Sequence, residues 1–164
     1  MNSYELLLDR IIGEIPVVEL PLSTFGTEGN YFDGMIFIDS TLPQHRKREI
    51  LSEEYGHFKT SVGNIINYED VESRKQELKA RRYAIEMVIT LDDLLDCRDY
   101  GCITICECAD FLSVSHELLH DTLSHYQRKY GINHQYKDKL FIFMDDSLLI
   151  LDKKNKLSNV CGIA

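Results

Sequence analysis

The stretch Ile50–Leu51–Ser52–Glu53–Glu54–Tyr55–Gly56–His57–Phe58–Lys59–Thr60 decides how this chain is read. Leu51, Tyr55 and Phe58 recur at the spacing of one buried helical stripe, so the stretch predicts a helix entered through the charged run His45–Glu49. Glu53 and His57 are four apart and stack one turn above the other on a common face. Glu54 follows about 100° further round the axis and leans over the same spot. Residues four apart on a helix, with a glutamate beside the first, are the arrangement in which a hydrolase holds a metal ion and sets a general base against the water it activates. The usual motif is H-E-x-x-H; here the first histidine is a glutamate, giving E-E-Y-G-H.

The bulk composition narrows the function classes. The chain has 164 residues, 44% of them hydrophobic and 27% charged, which suits one globular domain or one domain with a small appendage. A formal net charge of -9 argues against a general nucleic-acid surface, because phosphate binding is driven by Lys and Arg. The basic clusters Arg46–Arg48 and Lys79–Arg82 are short and set among acids, so they are expected to be solvated helix faces. No apolar run approaches the roughly 20 residues needed to span a bilayer. Met1–Asn2–Ser3–Tyr4–Glu5 lacks the basic start and apolar core of a signal peptide, and a cytoplasmic location is expected. Five cysteines without a C-x-x-C pair read as reduced thiols, three of them (Cys102, Cys106, Cys108) on one stretch of helical character.

Around the central helix the other elements fall into place. Tyr4–Ile12, stopped at Gly13, predicts a short helix, and Ile15–Pro21, bounded by its prolines, predicts an edge strand. Asp33–Gly34 between Asn30–Phe32 and Met35–Ile38 predicts a tight hairpin leading into the central helix. Thr60–Asn64 ends that helix, Asn67–Glu72 reads as a polar connection, and Ser73–Ile89 as a second long helix. Leu91–Cys97, capped by Thr90, is a further short helix. Ile103–Leu112 and His116–Tyr130 form a helix-turn-helix-like pair closed by Gly131, and Leu140–Met144 with Leu148–Leu151 form a terminal hairpin.

The literal H-E-x-x-H pattern occurs at His116–Glu117–Leu118–Leu119–His120. On that helix Leu119, Leu123, Tyr126 and Tyr130 make the apolar stripe and both histidines fall on its flank. No third ligand follows on a second helix, as a hydrolytic zinc site needs, so these histidines read as surface residues.

Three stretches in order resemble the ImmA/IrrE family of metallo-endopeptidases, in the small form carried by phages and mobile elements. Tyr31–Ile38 is similar to the family's strand pair before the active-site helix. Leu51–Ile65 resembles its core motif, including the glycine before the ligand histidine and the T-x-x-G-N-I tail. Lys75–Ala84 resembles the helix E-x-x-A-x-x-(F/Y/W)-A, whose glutamate is the third metal ligand. The resemblance implies metal ligands Glu53, His57 and Glu77, with Glu54 as general base. A carboxylate in place of the first imidazole hardens the site, so Mn2+ or Fe2+ become rivals to Zn2+.

The fold expected is α+β: zincin-like active-site helices with a small antiparallel sheet, then an α-helical C-terminal part and a terminal β-hairpin. Residues 1–90 would form the zincin-like metallopeptidase core and 91–164 the helical part with its hairpin. The implied activity is site-specific cleavage of a partner protein, typically a helix-turn-helix repressor of the same mobile element. Two other readings stand beside it. One is a metal-free pseudo-protease that binds a regulator. The other is a DNA-reading regulator built on Ile103–Gly131, against which Glu117 and Asp121 place acids on the would-be recognition helix. Glu77 also has a plainer role open to it, a helical pair with Arg81 four residues on.

Overall fold

A computed structural model of the chain describes residues 2–60, 70–145, 147–152 and 161–163. In it Asp33 and Gly34 adopt φ of 50° and 73°, the two consecutive positive values that a two-residue hairpin turn demands. The turn joins β2 (Gly29–Phe32) to β3 (Met35–Asp39), with Phe32 opposite Met35. Before them lie α1 (Ser3–Ile11), β1 (Val17–Leu20) and a 3-10 turn at Leu22–Phe25; after them come α2 (Gln44–Thr60) and α3 (Asp70–Val88). These elements make up the first of two compact units, Met1–Val88.

The sheet of this unit has the order β1-β3-β2 and is mixed, where the sequence predicted antiparallel pairing throughout. The tight turn fixes β2 on one edge of β3, so β1 takes the other edge. The chain has reversed twice on its way from β1 through β2, and β1 therefore runs parallel to β3, Val17 opposite Ile36. β1 is an edge strand, as the flanking prolines suggested.

One face of the sheet is closed by helices. Ile36 and Ile38 of β3 pack with Leu7 and Ile11 of α1 and with Ile50, Leu51 and Tyr55 of α2. Each such side chain, fully buried, contributes about 1.5–3 kcal/mol. α1 is locked at its start by a capping box: Asn2 accepts from the Glu5 backbone N–H while Glu5 accepts from that of Asn2. α3 buries Ala80, Ala84, Ile85 and Val88, whereas Tyr83 is 39% exposed and lies tilted against the Tyr55 ring. The helix also begins at Asp70 rather than Ser73, because polar residues without an apolar period give no sign of a first turn. Residues 61–69, including the rest of the T-x-x-G-N-I tail, lie outside the described residues.

The basic run at the head of α2 is not a solvated face. Lys47 is buried, and its amine donates to Glu19 Oε2 at 2.5 Å, while Tyr4 donates its hydroxyl proton to Glu19 Oε1 at 2.8 Å. Arg46 joins Glu28 to the buried Glu49, and Arg48 donates to the Val88 carbonyl at 2.7 Å. The run is amphipathic in a way that composition hides, with long stems in the core and charged heads on specific acceptors.

Burial pushes the Glu19 carboxyl up, but the hydrogen bonds from Lys47 and Tyr4 outweigh it and the net shift is downward. A carboxyl with a depressed folded pKa stabilises the fold above its unfolded value of about 4.3, and that contribution is lost as pH falls through the folded value. Lys47→Ala is therefore expected to cost about 1–3 kcal/mol at neutral pH. It should also shrink the stability lost on acidification. Urea denaturation at neutral pH and at about pH 3.5 checks both, and an acid loss as large as that of the unaltered chain would refute the pairing.

The second unit, Ile89–Ala164, holds α4 (Leu91–Tyr100), α5 (Ile105–Leu112), α6 (His116–Tyr130) and a four-stranded sheet in the order β4-β5-β6-β7. Thr90 and Thr104 each close a capping box, and Ser115 caps α6. Ser113 turns the α5–α6 link at φ 53°, so the helix-turn-helix-like pair is present. The expected hairpin is β5 (Lys139–Met144) with β6 (Ser147–Asp152). It is flanked by β4 (Asn133–Tyr136) and β7 (Cys161–Ile163). Cys102 sits in the turn after α4 rather than on α5; it is buried with Cys97 and Cys108, and Cys106 is exposed.

Candidate metal centre

α2 has two working faces. Ile50, Leu51 and Tyr55 are spent on the core, and the half-buried Glu53, Glu54 and His57 lie around the helix on the side of Ile50. β2 lies along that side. Because Phe32 and Met35 close the turn, the Tyr31 N–H points away from β3, and it donates to Glu54 Oε2 at 2.7 Å. The approach needs Gly29: a Cβ there would stand 2.2 Å from Ile50 Cγ2 and 3.4 Å from Glu54 Cγ.

Glu77 arrives from α3. The two helices cross at Gly56, where a Cβ would meet the Ala80 carbonyl oxygen at 2.6 Å. A glycine and an alanine at this crossing set the axes close enough for side chains on both helices to share one space. Glu77 Oε2 lies 3.7 Å from His57 Nε2, and Glu53, His57, Glu77, Leu78 and Arg81 line a cleft of ≈ 200 Å³. Of the residues the sequence marked, Glu53, His57 and Glu77 line this cleft, and Glu54 lies within electrostatic reach of all three. Leu78, which the sequence did not mark, and Arg81, which it offered only as a helical partner of Glu77, complete the lining.

The electrostatics are those of crowded, partly desolvated acids. Burial pushes the Glu53 carboxyl up, against the pull of Arg46 and Arg81. Burial likewise raises Glu54; His57 and the Tyr31 N–H oppose the shift, and Glu53 and Glu77 add to it. A carboxyl raised from its ordinary range is better matched to accept a proton near neutrality.

Among the described residues, no three His, Cys, Asp or Glu side chains stand close enough together to hold an ion as placed. In kind, however, the donors fit a divalent cation. One imidazole and two carboxylates open onto one cleft, and the charge of a cation would offset the desolvation that holds Glu53 and Glu54 up. A carboxylate-rich set with one nitrogen suits Zn2+, Mn2+ or Fe2+. His116 and His120 are exposed on α6, on the flank of the buried Leu119, Leu123 and Tyr126.

A sheet laid along a helix that bears a glutamate beside ligand-type residues four apart, crossed by a second helix with another carboxylate, is the layout of a metallopeptidase. The family model for the IrrE N-terminal-like domain, peptidase M78, matches residues 14–136, and the chain belongs to this ImmA/IrrE family of metallopeptidases. The match runs from Glu14 to Tyr136, so it takes in α4, α5, α6 and β4 as well as the elements that carry the cleft. Comparison with curated proteins and with solved structures gives no match. Among the described residues, no helix is long and apolar enough to cross a membrane.

Proposed function

We propose that the chain is a metal-dependent endopeptidase that cuts a partner protein at a defined site, with Glu54 as general base and Glu53, His57 and Glu77 as metal ligands. The observation that carries this is the Glu54 carboxylate, held at 2.7 Å by the Tyr31 N–H beside a cleft lined by Glu53, His57 and Glu77. Zn2+, or Mn2+ or Fe2+ in its place, would supply Lewis acidity toward the scissile carbonyl and lower the pKa of a water.

The chain's own groups do the rest. Glu54 takes a proton from the attacking water as its oxygen bonds to the carbonyl carbon and the C=O π pair moves onto the carbonyl oxygen. The same proton then passes to the departing nitrogen as the C–N bond breaks. The Tyr31 N–H keeps the carboxylate aimed between these two tasks. The partner is a helix-turn-helix repressor of a phage or mobile element, met in the cytoplasm; the support is the family and its E-E-x-x-H variant.

Elemental analysis after dialysis without chelator tests the site. The unaltered chain is expected to hold near one equivalent of metal, which Glu77→Ala loses and His116→Ala keeps. Metal that survives Glu77→Ala and disappears in His116→Ala would transfer the site to α6. No metal in any of the three would leave a regulator-binding pseudo-protease. Mass spectrometry of a co-expressed repressor checks the substrate; an intact repressor beside metal-loaded protein would remove the repressor and keep the metal site.

A further inference from the structure

One turn beyond Glu77, α3 presents Arg81 to the same cleft. Among the described residues lining it, Arg81 is the one with a permanent positive charge. Its guanidinium acts across the cleft on Glu53 of α2, opposing the upward push of burial on that carboxyl. The peptidase reaction gathers negative charge on the carbonyl oxygen. Glu53, Glu54 and Glu77 would repel that charge, and His57 is occupied as a ligand. A preorganised donor aimed at the developing oxyanion is the largest single contribution in many hydrolytic sites, and beside the Lewis acidity a metal would supply, the ligands and base offer no such donor.

We propose that Arg81 is a catalytic residue of this cleft and donates to the scissile carbonyl oxygen as it becomes an oxyanion. The inference rests on the peptidase reading. As the oxygen of water bonds to carbon, the π pair moves onto the carbonyl oxygen and the proton of water goes to Glu54; Arg81 keeps its own protons throughout. A guanidinium suits this place better than an amine, because its planar fork has five N–H donors and can face Glu53 along one edge and the substrate oxygen along another. A simple rim pair with Glu77, the other role for a residue at this spacing, would be weak and would be indifferent to the charge of a ligand.

The test uses zinc-loaded full chain, unaltered and with Arg81→Gln or Arg81→Lys. Two probes are compared: a phosphinic pseudo-tripeptide with leucine side chains, whose anionic group mimics the tetrahedral species, and the neutral ketomethylene of the same sequence. Arg81→Gln is expected to keep its zinc and its Tm and to bind the phosphinate about 100-fold more weakly, a loss on the scale of one missing oxyanion donor. Its affinity for the ketomethylene should stay within about threefold, Arg81→Lys should fall between, and added guanidinium chloride should restore part of the phosphinate affinity to Arg81→Gln. Unchanged phosphinate binding, equal losses for both probes, or no phosphinate binding by the unaltered chain would each overturn the assignment. Failure of the unaltered chain to take up zinc would overturn the peptidase reading itself, and the zinc stoichiometry tells the two failures apart.

Discussion

A Glu54→Gln protein is expected to fold and load metal as the unaltered chain does and to cleave its protein substrate about 10²–10⁴-fold more slowly. The substitution is nearly isosteric, and the amide oxygen can still accept from the Tyr31 N–H, so position and packing survive while proton acceptance is lost. The pH dependence carries a second mark of the same residue. Burial, with help from Glu53 and Glu77, lifts the Glu54 carboxyl above its ordinary range. Only the ionised form can act as base, so cleavage should rise with pH as Glu54 ionises, and Glu54→Gln should lack that limb. Cleavage rates across pH, paired with elemental analysis of each protein, check both statements. Residual activity of Glu54→Gln within about tenfold, at full metal loading, would give the base to another group.

Gly56→Ala is expected to cost about 1–3 kcal/mol and to empty the proposed metal site without altering any of its proposed ligands. The added Cβ would stand 2.6 Å from the Ala80 carbonyl oxygen, a backbone atom that cannot rotate away, so α2 and α3 must separate at their crossing. His57 is the next residue along α2, and Glu77 lies one turn before Ala80, so the separation opens the gap between them directly. Gly13→Ala is the matched control, since nothing lies within 4 Å of a Cβ there, and its effect should stay within about 0.5 kcal/mol. Urea denaturation with metal stoichiometry reads out both. A Gly56→Ala protein that kept its metal and its stability would show that the crossing tolerates the methyl and that the close approach does not set the site.

Most of the first unit could be read from the sequence because its signals are local. Asp33–Gly34 dictated the hairpin, and the Leu51–Tyr55–Phe58 spacing dictated both α2 and the face left over for chemistry. Glu77 was found only through the family motif, since no local pattern says that a residue on a later helix returns to His57. What stayed hidden depends on contacts distant in sequence. The parallel placement of β1 follows from which edge of β3 is vacant, and that is settled by β2. The burial of Lys47 follows from Glu19 and Tyr4, both far earlier in the chain. β4, reading Asn-His-Gln-Tyr, carries no β-branched residue and becomes a strand because β5 offers it an edge. Arg81 is exposed, as the reading of a solvated basic cluster had it, and only the crossing of α2 and α3 shows that it also lines the cleft.

The β2–β3 hairpin is anchored at one end and unconstrained at the other. At its root Gly29 is seated against Ile50, and at its tip nothing lies within 4 Å of a Cβ on Gly34. The two ends therefore differ in what they can absorb. Residues inserted between Asp33 and Gly34 would lengthen the tip into solvent and leave the Tyr31 amide where it is, whereas a single methyl at Gly29 would tilt the whole ribbon and carry that amide away from Glu54. The tip is thus the place to graft a label or a recognition loop onto this enzyme, and the root is the place to detune it by degrees.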